Sequence, residues 1–129
     1  MPDTRLTFKE MCARFDVTPR TLRYYEYIEL LDPEKEGRSR FYGNREIARM
    51  TLILRGRRWG FSLEEIRQWL MIYDNEGSRA QMEELVKQAD RQIVSLTQEM
   101  QTLESAIAEL QQTRENVARD LATAEPRSA

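Results

Sequence analysis

Between Thr18 and Leu31 the chain reads TPRTLRYYEYIELL. On a helix, Arg20, Arg23 and Tyr24 fall three and four positions apart on one face, with Tyr27 on the side of Arg23. Arginine presents a planar fork that bonds guanine edges or phosphate through paired N–H groups. Tyrosine adds a hydroxyl for phosphate and a flat ring for a groove wall. Thr18 and Thr21 stand at the helix start, where unpaired N–H groups and the helix dipole favour anions. Leu22, Tyr25 and Ile28 form the opposite, packing face. The pattern suits a helix that reads DNA. It also describes an amphipathic helix with a solvated basic face, and this stretch alone leaves both open.

Two more basic clusters follow. In GRSRFY, Arg38, Arg40 and Tyr42 alternate, so on a strand they share one face. Such a hairpin is either a wing that grips the DNA backbone beside a reading helix or an exposed hairpin with ordinary charges. In RGRRWG, Arg55, Arg57 and Arg58 cluster near a helix end, where they suit phosphate or the C-terminal dipole equally well. Trp59, Phe61 and Trp69 read as core.

Other chemistry is poorly supplied. The 129 residues include no histidine and one cysteine, Cys12. That removes the commonest general base and metal ligand, and any thiolate cluster or disulfide framework. No paired base and nucleophile is visible, so neither an enzyme nor a cofactor is expected. Cys12 falls on the apolar side of the first helix and reads as a buried, inert thiol. No apolar run reaches the ~20 residues of a membrane span, and the first residues have no signal-peptide character. A cytoplasmic protein with no membrane partner is expected. Charge is unevenly spread, with 14 Lys/Arg against 11 Asp/Glu in residues 1–73 and 6 against 11 in 74–129. A basic head with an acidic extension fits anion binding by the head.

The elements that would position these groups can be read from spacing. LTFKEMCARFDV, from Leu6, is a short amphipathic helix broken at Asp16-Val17. Thr18 before Pro19 starts a second helix, to about Ile28. Two short helices and a tight turn make a helix-turn-helix. LLDP and SRFY are extended segments around Gly37. Asn44 caps a third helix, about Arg45 to Arg58, which Gly60 closes. Ser62 and Glu65 form a capping box opening a fourth helix, to about Tyr73, and DNEGS breaks the chain again. From Ser78 to about Leu121 there is neither glycine nor proline. There Val86, Ile93, Met100, Ile107, Arg114 and Leu121 alternate with Met82, Ala89, Leu96, Leu103, Leu110 and Val117 at spacings of four and three. Nearly six heptads of this kind specify a coiled coil, and a helix so long cannot bury its stripe on a small head, which implies a dimer.

Taken in order, TPRTLRYYEYIELL, SRFY, RGRRWGFSLEEIRQWL and the long terminal helix resemble the MerR family of bacterial transcription regulators, closely over residues 6–73. The resemblance implies a mainly α fold. A winged helix-turn-helix would occupy residues 1–76, an antiparallel coiled-coil dimerisation helix 77–123, and a disordered tail 124–129. It implies double-stranded promoter DNA as partner, bound as a homodimer at two half-sites of a palindrome. The DNA between promoter elements would be distorted, acting indirectly on RNA polymerase. By position, Thr18, Arg20, Thr21, Arg23 and Tyr24 match the recognition helix, Arg40 and Tyr42 the wing, and Arg57 and Arg58 an extra backbone contact. Val86, Ile93, Leu96, Met100, Leu103, Ile107, Leu110 and Val117 would form the dimer seam. The family usually has glycine where this chain has Glu29. The wing carries Arg38-Ser39 where glycine-tyrosine is common. Metal-sensing members use cysteines flanking the dimer helix, and none follows Cys12 here. LILRGRRWGFSLEEIRQWLMIYD resembles a subgroup controlling leucine/isovalerate and fatty acid degradation, which implies an acyl-CoA-type effector. The other class of function open to this sequence is a protein-binding adaptor, with a helix-turn-helix-shaped head and the coil as scaffold.

Overall fold

In the computed structural model, residues 4–75 and 78–124 are described. The chain falls into two compact units, Met1–Lys87 and Gln88–Ala129. In the first, β1 (Leu6–Thr7) leads into α1 (Phe8–Phe15) and α2 (Pro19–Tyr27). A hairpin of β2 (Glu34–Glu36) and β3 (Ser39–Tyr42) follows, then α3 (Asn44–Arg58) and α4 (Leu63–Asn75). The last helix, α5 (Arg79–Thr123), begins in this unit and continues through the second.

Short-range signals decide most helix ends. Thr18 caps α2, its Oγ1 accepting from the Thr21 N–H at 3.1 Å, with Pro19 at the first helical position. The Ser62–Glu65 box opens α4, with bonds of 2.9 and 3.1 Å. Gly60, at φ 90°, closes α3, while the Phe61 N–H reaches Gly56 O at 3.0 Å and the Gly60 N–H reaches Arg57 O at 3.1 Å. This paired closure satisfies carbonyls the helix would leave bare. A second box, Thr7 with Glu10, starts α1 and holds the Glu10 carboxyl below its usual range, chiefly through the bond from the Thr7 N–H. A third, Ser78 with Gln81, starts α5.

Several expectations change. α1 does not begin at Leu6, because Leu6 and Thr7 pair with Tyr42 and Phe41 as a third strand, giving the antiparallel order β1-β3-β2. LLDP is not a strand; Leu30, Leu31 and Pro33 turn inward, and pairing with β3 starts at Glu34. Arg38 lies in the two-residue hairpin turn with Gly37 at φ 62°, not on the strand. Gly43, not Asn44, occupies the cap position of α3, and the Asn44 side chain accepts from the Thr4 N–H instead. Trp59 is not core: 38% of it is exposed. Phe61 is buried and Trp69 partly so, their rings 5.6 Å apart. α4 runs past Tyr73 to Asn75, into the expected break at DNEGS, whose next two residues, 76–77, lie outside the described residues, as do 125–129 of the expected tail.

The head's core joins Met11, Leu22, Tyr25, Leu30, Leu31, Tyr42, Met50, Ile53, Phe61, Ile66 and Leu70. α3 lies close against α4, where a Cβ on Gly56 would meet Ile66 Cγ1 at 2.8 Å. Glu29, just after α2, has the left-handed φ of 64°. For a residue with a Cβ this costs about 1 kcal/mol or more, and glycine escapes it. Glu29→Gly is therefore expected to raise stability by roughly 0.5–1 kcal/mol, after the entropy glycine adds to the unfolded chain. Urea unfolding of both proteins checks this, and an unchanged midpoint would contradict it.

None of the residues of α5 is buried in the single chain. Its apolar stripe stays open to solvent, with Val86 and Ile93 60% and Leu103 63% exposed.

Candidate nucleic-acid interface

α2 carries the first set of groups. Leu22 and Tyr25 are buried and fix the helix to the core. That turns Arg20, Arg23, Tyr24 and Tyr27 outward, while Thr18 is exposed and Thr21 half-buried at the start. The Thr18 and Thr21 hydroxyls bond each other at 3.0 Å, which orients both beside the first turn.

The hairpin closes on this helix through one aromatic ring. The Arg23 guanidinium of α2 lies 5.6 Å from the Phe8 ring centroid, and that of Arg40 from β3 lies 5.7 Å from the same ring. A cation over a ring face at this range is attracted by the ring's quadrupole. Around Phe8 runs a groove of about 370 Å³, lined by Thr7, Phe8, Lys9, Arg23, Arg38, Ser39, Arg40 and Phe41. Four of these residues are cationic and none is acidic, so the groove suits a phosphate chain rather than a positively charged guest.

Arg40 and Tyr42 do share a strand face, but it turns inward at Tyr42. Tyr42 is wholly buried and its hydroxyl donates to Glu26 Oε1 at 2.5 Å. Tyr42 is thereby removed from the expected DNA-contacting set. Burial, and then the bond to Glu26, pushes its phenol well above the ordinary range, so it stays protonated and donating. Arg40 Nε stands 3.6 Å from the same Glu26 oxygen. One carboxylate of α2 thus holds two residues of β3. Tyr42→Phe should leave that half-enclosed carboxylate without its O–H donor. A loss of about 1–2 kcal/mol of stability is expected, read as a lower thermal midpoint; an unchanged midpoint would mean water replaces the bond at no cost.

Sequence reasoning missed Glu26, and it missed the grip on the segment after α2. Arg49, buried in α3, donates from Nε to Leu30 O at 2.9 Å. Glu46, also buried, accepts from the Asp32 N–H at 2.9 Å. Arg67 of α4 donates to Ile28 O. Arg5 anchors the hairpin from below, over the Phe41 ring at 4.0 Å and paired with Glu34 and Glu36 at 3.2 and 2.7 Å. These charged residues position the site without facing its groove.

Arg57 and Arg58 are exposed in the last turn of α3. Cys12 is half-buried, and burial pushes its thiol up, leaving it protonated and a poor nucleophile. Among the described residues no cluster of three metal-ligating side chains occurs, and no helix is long and apolar enough to cross a membrane.

A helix capped by threonine, a basic groove and a short hairpin have a counterpart in known sequences. Residues 6–71 match the pattern of the MerR HTH family regulatory proteins, and residues 47–113 that described as MerR, DNA binding. The chain belongs to the MerR family. The regulator HmrR of Rhizobium leguminosarum bv. viciae is 34% identical over 104 residues, covering 76% of this MerR chain and 81% of its own. ZntR of Escherichia coli strain K12 is 35% identical over 112 residues, covering 85% and 74%. Among solved structures, HiNmlR, a MerR family regulator lacking the sensor domain and bound to promoter DNA, superposes with a TM-score of 0.71. That likeness spans 93% of this chain and 95% of the other at 16% identity, and so concerns the fold. This MerR protein is a DNA-binding transcription regulator with a helix-turn-helix head, a hairpin wing and a long C-terminal helix. The subgroup concerned with leucine and fatty acid degradation is not among these relatives.

Proposed function

We propose that this protein binds a palindromic promoter site as a homodimer. The observation that carries the reading is the acid-free groove between α2 and the hairpin, walled by Lys9, Arg23, Arg38 and Arg40. In this reading α2 enters the major groove, with Arg20, Arg23 and Tyr24 facing base edges and Thr18 and Thr21 a phosphate near its first turn. Arg40 and the turn residue Arg38 follow the flanking backbone, and Arg57 and Arg58 hold a further phosphate. The homodimer reading is supported by the exposed stripe of α5 through Val86, Ile93, Leu96, Met100, Leu103, Ile107, Leu110 and Val117. Two half-sites on one face of the duplex would let the dimer distort the DNA between them and so alter how RNA polymerase reads the promoter. The resemblance of residues 52–74 to regulators of degradative pathways supports control by a small metabolite of the acyl-CoA type. With a single cysteine and no histidine in the sequence, a soft-metal thiolate cluster has few donors here.

The test is selection from random duplex DNA at moderate salt, with the Arg20→Ala/Arg23→Ala protein as control. A palindrome enriched by the wild type alone supports the reading. Affinity for it should fall about 10³-fold between roughly 50 and 200 mM salt, as phosphate contacts release counterions. Weak binding that ignores both sequence and salt would overturn the reading and favour a protein-binding adaptor.

A further inference from the structure

Between Ile93 and Val117 every seam position of α5 is apolar except Arg114. Arg114 is exposed and forms no ion pair within its own chain among the described residues. An arginine on an apolar seam is costly to cover unless the covering surface offers room and a carboxylate. A second copy of α5 offers a matching stripe.

The orientation of that copy decides what Arg114 meets. Side by side in parallel, Arg114 would face the partner's Arg114, and Glu99 would face the partner's Glu104. Both contacts are repulsive, although β-branched residues alternating with leucine otherwise suit a parallel pair. Run antiparallel with full overlap, Met100 faces the partner's Leu103 and Leu96 faces the partner's Ile107. Arg114 then lies over the partner's Ala89, the smallest side chain of the seam, and Asp90 is the next residue. Asp90 is exposed and makes no ion pair in its own chain among the described residues. Slipping one heptad shortens the overlap. It sets Arg114 over the partner's Leu96, flanked by Ser95 and Thr97, or over the partner's Met82, where Glu83 is already paired with Arg79 at 3.0 Å.

We propose that Arg114 of each protomer packs over the partner's Ala89 and pairs with the partner's Asp90. The two symmetric pairs, one toward each end of the coil, set its register. This rests on the homodimer reading and specifies its interface. Polar groups on a coiled-coil seam fix register in this way because every slipped alignment leaves them uncompensated.

A charge-swap cycle on the full-length protein tests it, read as the dimer dissociation constant by sedimentation. Asp90→Arg and Arg114→Asp should each weaken the dimer about tenfold or more, since attraction becomes repulsion at two places. The double swap should return to within about threefold of wild type. Both sites are exposed in the protomer, so an unchanged helical circular dichroism signal accompanies each variant. Disulfide mapping fixes the alignment independently. With Cys12→Ala throughout, a Leu96→Cys protein mixed with an Ile107→Cys protein should oxidise to the 96–107 heterodimer. Single swaps without effect, a double swap no better than the singles, or like-with-like disulfides would overturn the proposal. A wild type that is monomeric at every concentration would instead overturn the homodimer reading beneath it.

Discussion

Replacing Arg23 with alanine is expected to lower affinity for the selected palindrome by about 1–3 kcal/mol, roughly fivefold to over a hundredfold. Arg23 is exposed on the outward face of α2, and its guanidinium is held near the Phe8 ring at 5.6 Å. The side chain is thus partly ordered before DNA arrives, and less rotamer entropy remains to be lost on binding. Truncation removes a bidentate donor and one wall of the basic groove. Titrations against the palindrome and against an unrelated duplex separate the two possible roles. A loss on the palindrome alone makes Arg23 a base reader. An equal loss on both, with the salt slope reduced by about 1, makes it a phosphate contact. No loss on either would remove α2 as the reading element.

Leu103→Asp should abolish dimerisation at micromolar concentration. Leu103 stands near the middle of the stripe and is 63% exposed in the single chain, so folding of the protomer should not register the change. In a dimer each copy would bury a carboxylate against an apolar neighbour. Two such charges cost several kcal/mol together even after partial solvation, and a dissociation constant raised by about 10³-fold or more is expected. Sedimentation reads the loss directly. Operator binding should fall with it, because a single head forfeits the effective concentration that tethers the second half-site. A variant that stays dimeric would mean that protomers meet elsewhere.

What the amino-acid sequence made legible was local. Thr18-Pro19, Ser62 with Glu65, and Gly60 act within one helical turn, and each was readable from spacing alone. The outward face of α2 was readable too, since Leu22 and Tyr25 mark the side that must be buried. The contacts that seat the site were not. The long-range partners of Glu46, Glu26, Arg49 and Arg67 lie 14, 16, 19 and 39 positions away. Their residue types are those of ordinary surface charges, and no period announces them. Alternation placed Arg40 and Tyr42 on one face of β3 but could not say that Tyr42 is dry. The strand Leu6–Thr7 was hidden for a related reason, because two residues are too few for a period and only the company of β3 makes them a strand. Trp59 shows the reverse case, a large apolar ring assigned inward by type and left 38% exposed by the closure of α3 at Gly60.

The carboxylate of Glu26 has a mechanical consequence. It ties the hairpin strand to α2 through Tyr42 and Arg40, while Arg49, Glu46 and Arg67 clamp the chain just beyond that helix. These contacts set the gap between helix and wing. In the DNA-binding reading proposed above, a duplex whose groove does not match that gap would have to yield or strain these contacts. Selection among sites would then weigh how readily each stretch of DNA deforms, as well as which base edges it displays.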